Sequence, residues 1–276
     1  MNQWRKGIAS WKVGNTLYLS VPFTWLMANA EEMAAQHKGK VLIGGPGTGQ
    51  PSECRDFSPL LFHNPLATFT TRGCPNKCEF CAVPKIEPNF VECKHFRPAP
   101  LVCDNNLLAC RKKHFERVID AINIFPVIDF NQGLDARLFT EWHAKKLTEL
   151  HHVKVRFALD FDGQVYRVYS AVELARYYGL TDIGIYCLIG YNDSPASARA
   201  RLELVRSWGI RPVPMRYQPL DAVKKNAYIA PGWTDMELRK MVNYYYHLRW
   251  YEHIPYEEFN RYPSSDDDDE EQRLFA

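Results

Sequence analysis

Between residues 66 and 217 the chain alternates strand-like and helix-like segments, and that regularity narrows the fold more than any other feature. Residues 66–71, 101–103, 127–130, 153–161, 183–189 and 212–217 are short runs with strand character. Between them lie helical stretches. Phe115, Val118, Ile119 and Ile122 fall at i, i+3, i+4 and i+7, one face of a helix. Residues 140–150 and 172–178 follow as further helices, and Ser194-Pro195 supplies a cap and a first-turn proline for another through Leu202 and Val205. Repeated strand–helix alternation implies a parallel sheet with helical crossovers. The expected fold class is α/β: six units make a partial (β/α)6 barrel rather than the closed eight-unit form. In such folds the chemistry gathers at the carboxyl ends of the strands.

Upstream, residues 16–22 have strand character, Thr24 can cap a helix reaching about residue 37, and residues 40–43 form a second strand. The expected organisation is a βαβ-like extension over 1–61, the barrel over 62–225, a helical segment over 226–263 and a disordered acidic tail over 264–276. Helix 235–251 carries Tyr244, Tyr245, Tyr246, Trp250 and Tyr251, the pattern of a packing face. The glycine run Gly44-Gly45-Pro46-Gly47-Thr48-Gly49 lacks the Lys-Ser/Thr of a phosphate-binding P-loop and is expected to be a plain turn. The apolar stretch 16–27 is interrupted by Ser20, Pro22 and Thr24, and no run approaches the roughly 18 apolar residues of a membrane span. A cytoplasmic protein with no membrane partner is expected. The net charge is +2, but the acidic block 266–271 masks a basic body, compatible with an anionic substrate.

Eight cysteines in 276 residues are not needed as staples, because a chain of this length can bury an adequate core without them. Cys74, Cys78 and Cys81 crowd together as C-x3-C-x2-C, within Thr71-Arg72-Gly73-Cys74-Pro75-Asn76-Lys77-Cys78-Glu79-Phe80-Cys81. Clustered thiols of this kind point to metal binding in a reducing compartment. Thiolates suit iron–sulfur clusters and zinc. Three of them can hold three irons of a cubane and leave the fourth open. Zinc would need a further ligand, from Cys54, Cys93 or a histidine, and no second close pair exists to supply the usual knuckle. Cys54, Cys93, Cys103 and Cys110 are irregularly spaced and read as ordinary buried thiols, as His63 and His114 read as structural histidines. The competing class is a non-enzymatic zinc or iron–sulfur binding module.

This spacing, at the end of a first strand and with Phe80 just before the last cysteine, resembles the signature of the radical S-adenosylmethionine (SAM) superfamily. The resemblance implies a 4Fe–4S cluster on Cys74, Cys78 and Cys81, whose open iron binds the amino and carboxylate groups of SAM. The reduced cluster then cleaves SAM to a 5′-deoxyadenosyl radical that abstracts hydrogen from a substrate. By position, the resemblance further implies a set of cofactor-binding residues. Phe80 matches the aromatic position whose backbone would meet the adenine. Asp104 and Asn105, followed by Asn106, stand where the family has a Gly-Gly-Glu-like segment for the SAM amino group, and depart from that pattern. Asn131 follows the third strand, Asp160 ends the fourth near the ribose, and Arg216 and Tyr217 end the sixth near the adenine. Gly190-Tyr191-Asn192-Asp193 is similar to the family's Gly-x-x-Glu segment, with Asp in place of Glu. The resemblance also implies a reductant such as flavodoxin or ferredoxin. The lateral opening of a partial barrel suggests a macromolecular substrate, RNA or polypeptide. Residues 20–26 with 40–47 are similar to part of a cobalamin-binding domain, but only one βαβ unit and no Asp-x-His-x-x-Gly segment are present. Functional cobalamin is not expected; a remnant packed on the barrel is.

Overall fold

The structure is a computed structural model describing residues 7–50, 59–248 and 252–260; Cys54, residues 249–251 and the acidic run 266–271 lie outside the described residues. β1 (Ala9–Val13) and β2 (Thr16–Ser20) form a hairpin, and α1 (Met27–Ala35) carries the chain to β3 (Lys40–Gly44), parallel to β2. This is the expected βαβ unit, with β1 added antiparallel at its edge. Leu17, Leu19, Val21 and Ala30 make its small core. The glycine run is a turn laid against the end of β2. A Cβ on Gly45, at φ +100°, would sit 2.6 Å from the Val21 carbonyl oxygen, and one on Gly47 2.5 Å from that of Phe23.

α2 (Leu60–His63) packs against both β1 and β4 (Ala67–Thr68), linking the two parts of the chain. His63 is structural: its Nε2 lies 2.9 Å from the Ser20 hydroxyl. β5 (Thr71–Arg72), α3 (Val83–Ile86) and β6 (Val91–Glu92) follow, then β7 (Leu101–Val102), α4 (Lys112–Ile122), β8 (Ile128–Asp129) and α5 (Glu141–Leu147). The chain continues through β9 (Val153–Ala158), α6 (Val165–Tyr177), β10 (Asp182–Ile189), α7 (Pro195–Ser207), β11 (Pro212–Arg216) and α8 (Asp235–Tyr246). The principal sheet has the order β11-β10-β9-β8-β7-β4, with every pairing parallel. Its strands run in sequence order without reversal.

One face of this sheet is apolar and packs against the helices. Val153, Val155 and Phe157 alternate on β9, Ile185, Cys187 and Ile189 on β10, and all join one core with Phe115, Val118, Ile119 and Ile122 of α4. The opposite face is polar, with Arg156 donating to Asp129 at 2.6 and 2.8 Å. The tyrosines of α8 are the packing face the sequence suggests, since Tyr244, Tyr245 and Tyr246 are all buried.

The first expected strand, 66–71, is divided. Ala67–Thr68 joins the parallel sheet, whereas Thr71–Arg72 turns away to pair antiparallel with β6. The reason is a side chain: the Asp104 carboxylate takes the N–H groups of Thr70 and Thr71, which therefore cannot extend the ladder. α6 starts at Val165, ahead of the expected 172. The N-terminal unit also reaches the far side of the sheet, where the Thr24 hydroxyl donates to the carbonyl of Ala222, beyond β11. Among the described residues no helix is long and apolar enough to cross a membrane.

Candidate metal and cofactor site

β5 and β6 bracket the segment that carries the three clustered cysteines. The start of that segment is tightly held. Gly73 has φ +72°, and a Cβ there would lie 2.2 Å from the Asn89 carbonyl oxygen, so glycine is required. Its N–H donates to Glu87 Oε2 at 2.8 Å. Glu87 is buried, forms an ion pair with Arg72 and accepts from Asn105 Nδ2 at 2.9 Å. Asp104 Oδ1 accepts from the N–H groups of Thr70 at 2.6 Å and Thr71 at 2.9 Å, and Oδ2 accepts from the Thr70 hydroxyl. Complete burial lifts the Asp104 carboxyl to about 6 despite these donors. Two buried carboxyl groups thus tie the approach to Cys74 to its surroundings.

Cys74, Cys78 and Cys81 are half-buried and free of disulfides. Burial raises the thiol pKa of Cys78 and of Cys81; the Arg137 charge opposes the rise at Cys78, and Cys74 adds to it at both. Cys74 Sγ lies 3.4 Å from the Asn76 backbone nitrogen and 3.5 Å from Asn106 Nδ2. Asp135 Oδ2 accepts from both Asn76 Nδ2 and Asn106 Nδ2, each at 3.0 Å, and the carboxylate is held in turn by Arg137 at 2.7 and 2.8 Å. Asn106 is 2 % exposed, yet its Oδ1 has no hydrogen-bond partner. An orphaned buried acceptor beside the thiols suits a ligand that brings a donor.

Among the described residues, no group of three His, Cys, Asp or Glu side chains is arranged to hold a metal ion. A single tetrahedral ion would need its sulfurs drawn to about 2.3 Å from one centre. A multi-iron cluster spreads its cysteines wider. Three soft thiols on one loop, with two N–H donors aimed at the Cys74 sulfur, have the chemistry that suits such a cluster.

A cleft of about 400 Å³ opens beside the loop, lined by Cys78, Phe80, Asp160, Tyr191, Asp193 and Arg201 among others. It lies past the carboxyl ends of β9 and β10, and its size is that of a small-molecule site. Burial pushes the Asp160 carboxyl up to about 6, opposed by the charge of Arg201. Phe80 meets Tyr191 edge-on at 5.9 Å, Tyr191 meets Tyr217 at 4.8 Å, and Tyr217 meets Tyr228 at 5.1 Å. The turn after β10 is wired from beneath. Arg201, from α7, donates to Asp193 at 2.7 Å, to the Leu188 carbonyl at 2.8 Å and to Asp162 at 3.2 Å. Asp193 also accepts from the Gly190 N–H at 3.0 Å, and its carbonyl accepts from Trp233 Nε1 at 2.9 Å.

Of the residues expected at the site, Phe80 and Asp160 line the cleft together with Cys78, and Tyr217 joins them through Tyr191. Asp104 and Asn105 are engaged in holding the loop instead. Asn131 is buried, and its carbonyl accepts from the Tyr186 hydroxyl. Gly190 supplies a left-handed turn at φ +71°. Arg216 pairs with Asp235 at 2.8 Å and donates to the Asn226 carbonyl at 2.7 Å. None of these five lines the cleft. Sequence reasoning passed over Glu87 and Arg201 as site residues, and placed Asn106 only by its position after the second strand. Arg201 had a signal, since it falls on the apolar face of α7 marked by Ala198, Leu202 and Val205. His114 is buried with Nε2 3.0 Å from the Thr70 carbonyl oxygen. Burial raises the thiol pKa of Cys103 and Cys110, each to about 12. No known family model matches the chain, and no curated protein matches it.

Proposed function

We propose that this chain is a radical SAM enzyme, with Cys74, Cys78 and Cys81 holding a 4Fe–4S cluster and the adjoining cleft holding SAM. The observation that carries the reading is the juxtaposition of the C-x3-C-x2-C loop with the cleft lined by Cys78, Phe80, Asp160 and Tyr191. Once bound, the cluster would supply the electron that cleaves SAM to a hydrogen-abstracting 5′-deoxyadenosyl radical. The chain's own residues bind and orient. Asn106 Oδ1 is a free acceptor for the amino group of the methionine portion. Phe80 and Tyr191 offer ring faces to the adenine, and Asp160 an acceptor for the ribose hydroxyls. Arg201 fixes the turn that carries Tyr191.

A partial barrel is the architecture proposed with this function. Parallel crossovers are right-handed, so strands laid down in sequence order place their helices on one face. The other face is then free to curve around a ligand, and here it is polar. In a flat sheet β4 and β11 would stand about 24 Å apart, at ~4.8 Å per strand. The N-terminal unit touches β4 through α2 and the segment beyond β11 through Thr24, as a curved sheet would allow. That unit serves as a packing remnant and binds no cobalamin. The substrate in this reading is a macromolecule, RNA or polypeptide: Phe161, soon after β9, and Val223 and Ile229, in the segment that follows β11, are exposed apolar residues. A small acidic electron carrier such as flavodoxin or ferredoxin is the reductant, and the cytoplasm the compartment.

The test is anaerobic reconstitution, with iron and sulfide quantified and the reduced protein examined by EPR with and without SAM. The expected result is about four irons per chain and a cubane signal that changes on adding SAM. Zinc in place of iron, or a cluster indifferent to SAM, would refute the enzyme reading and leave a metal-binding module.

A further inference from the structure

The three cysteine sulfurs are not equivalent. Cys74 is approached by two N–H donors, the Asn76 backbone and the Asn106 side chain. No hydrogen bond to the Cys78 sulfur is found among the described residues. Of these donors only Asn106 Nδ2 is a side chain, and its orientation is set from outside the loop. Asp135 Oδ2 accepts that amide at 3.0 Å and, through the same atom, the Asn76 amide. Arg137 fixes Asp135 with two bonds. An Asn106 flipped by half a turn would aim its oxygen at both the Asp135 carboxylate and the Cys74 sulfur, so the carboxylate enforces the donor orientation.

We propose that Asn106 is a positioning residue that, held by Asp135, donates N–H···S to Cys74 and thereby sets the reduction potential of a cluster bound there. The inference rests on the cluster reading above. Reduction adds negative charge to a cluster and its thiolates, and a donor aimed at sulfur stabilises the reduced state more than the oxidised one. Removing the donor therefore makes the cluster harder to reduce. The Oδ1 of the same amide is buried and has no hydrogen-bond partner.

Reconstituted wild-type protein is compared with Asn106→Leu, which keeps the bulk but loses the donor, and Asn106→Asp, which replaces the donor by an acceptor. The readouts are iron content, midpoint potential by EPR-monitored titration, and pulsed-EPR coupling to exchangeable deuterons after transfer to D2O. In Asn106→Leu the midpoint is expected to move negative. The reduced-to-oxidised ratio at the wild-type midpoint should fall roughly fivefold, the worth of one ordinary hydrogen bond, with loss of one weak deuteron coupling. Asn106→Asp should move the midpoint further in the same direction. A full cluster with an unshifted midpoint and unchanged couplings in both variants overturns the inference and leaves the cluster reading standing. Wild-type protein that takes up no iron overturns both. Variants that fold with a wild-type melting temperature but take up no iron show that Asn106 holds Cys74 without tuning it, which also overturns the proposal. Should Asn106→Leu fail to fold, the midpoint of the isosteric Asn106→Asp decides.

Discussion

Replacing Asp104 by asparagine should change the pH dependence of stability in a direction that the burial of this carboxyl determines. The side chain is 2 % exposed and faces only donors: two backbone N–H groups on Oδ1 and the Thr70 hydroxyl on Oδ2. Even so, desolvation outweighs the donors and lifts the pKa from 3.8 to about 6. A carboxyl with a raised folded pKa binds its proton more tightly in the native than in the unfolded chain. Stability from this group is therefore fully present below about pH 4 and is lost as the pH rises through about 6. A rise of about two pH units corresponds to about 3 kcal/mol, at roughly 1.4 kcal/mol per unit. Asparagine mimics the protonated acid: Oδ1 still accepts both N–H groups, and Nδ2 meets the Thr70 oxygen. The metal-free reduced protein is unfolded in urea from pH 4 to 7.5. Asp104→Asn should match wild type within about 1 kcal/mol near pH 4 and become the more stable of the two toward pH 7, by up to about 3 kcal/mol. Asp104→Ala leaves two buried N–H groups without acceptors and should lie about 2–4 kcal/mol below Asp104→Asn across the range. The wild-type-minus-variant difference cancels other titrating acids. Parallel profiles for wild type and Asp104→Asn, or an alanine variant as stable as the asparagine one, would refute the account of Asp104 as a buried staple.

The same urea assay, joined to iron quantification after reconstitution, checks the rest. Glu87→Ala strands the Gly73 N–H and the Arg72 guanidinium and should cost about 2–4 kcal/mol, with reduced iron uptake, while Glu87→Gln keeps the Gly73 bond and should recover most of the loss. Gly73→Ala drives a Cβ to 2.2 Å from the Asn89 carbonyl oxygen at φ +72° and should cost more than about 2 kcal/mol and impair iron uptake; a variant of wild-type stability would show that the turn can relax. Arg201→Leu removes the guanidinium from two carboxylates and a carbonyl and should cost about 3 kcal/mol. Arg201→Lys should rescue little of this, because an ammonium cannot span all three acceptors, and equal stability of lysine variant and wild type would contradict that.

The longer strands were legible because one physical requirement shapes each of them. β9 and β10 bury alternate residues against the helices over six and eight positions, and that alternation survives in the sequence. β7 and β8 are two residues long, too short to carry a period, and were found only by their place between helices. β1 was missed altogether, since Ala-Ser-Trp-Lys-Val has little strand signature and is held by pairing with β2. The division of the first strand was unreadable for a related reason: it depends on Asp104, which lies 34 residues from Thr70.

The candidate site divides along the same line. A cysteine spacing is a local pattern, so Cys74, Cys78 and Cys81 stand out at once, whereas Asn106 could be placed only by its position after a strand, and its contact with Cys74, 32 residues away, emerges only from the fold. Polar residues at strand ends were placed in the right neighbourhood but not given a direction. At a parallel-sheet mouth each such side chain chooses between a ligand and the unpaired backbone groups beside it. Where the chain leaves the parallel sheet, as at Thr70–Gly73, the N–H groups of Thr70, Thr71 and Gly73 are bonded by carboxylates and not by a strand of that sheet. Buried N–H groups cannot go unpaired without cost, so the nearest carboxyl groups turn to them first. That is why Asp104 and Glu87 face the backbone, and why the side chain left with a free acceptor is the next in line, Asn106. At such a mouth, then, the ligand contacts are to be sought among the polar atoms that remain after the backbone has been satisfied.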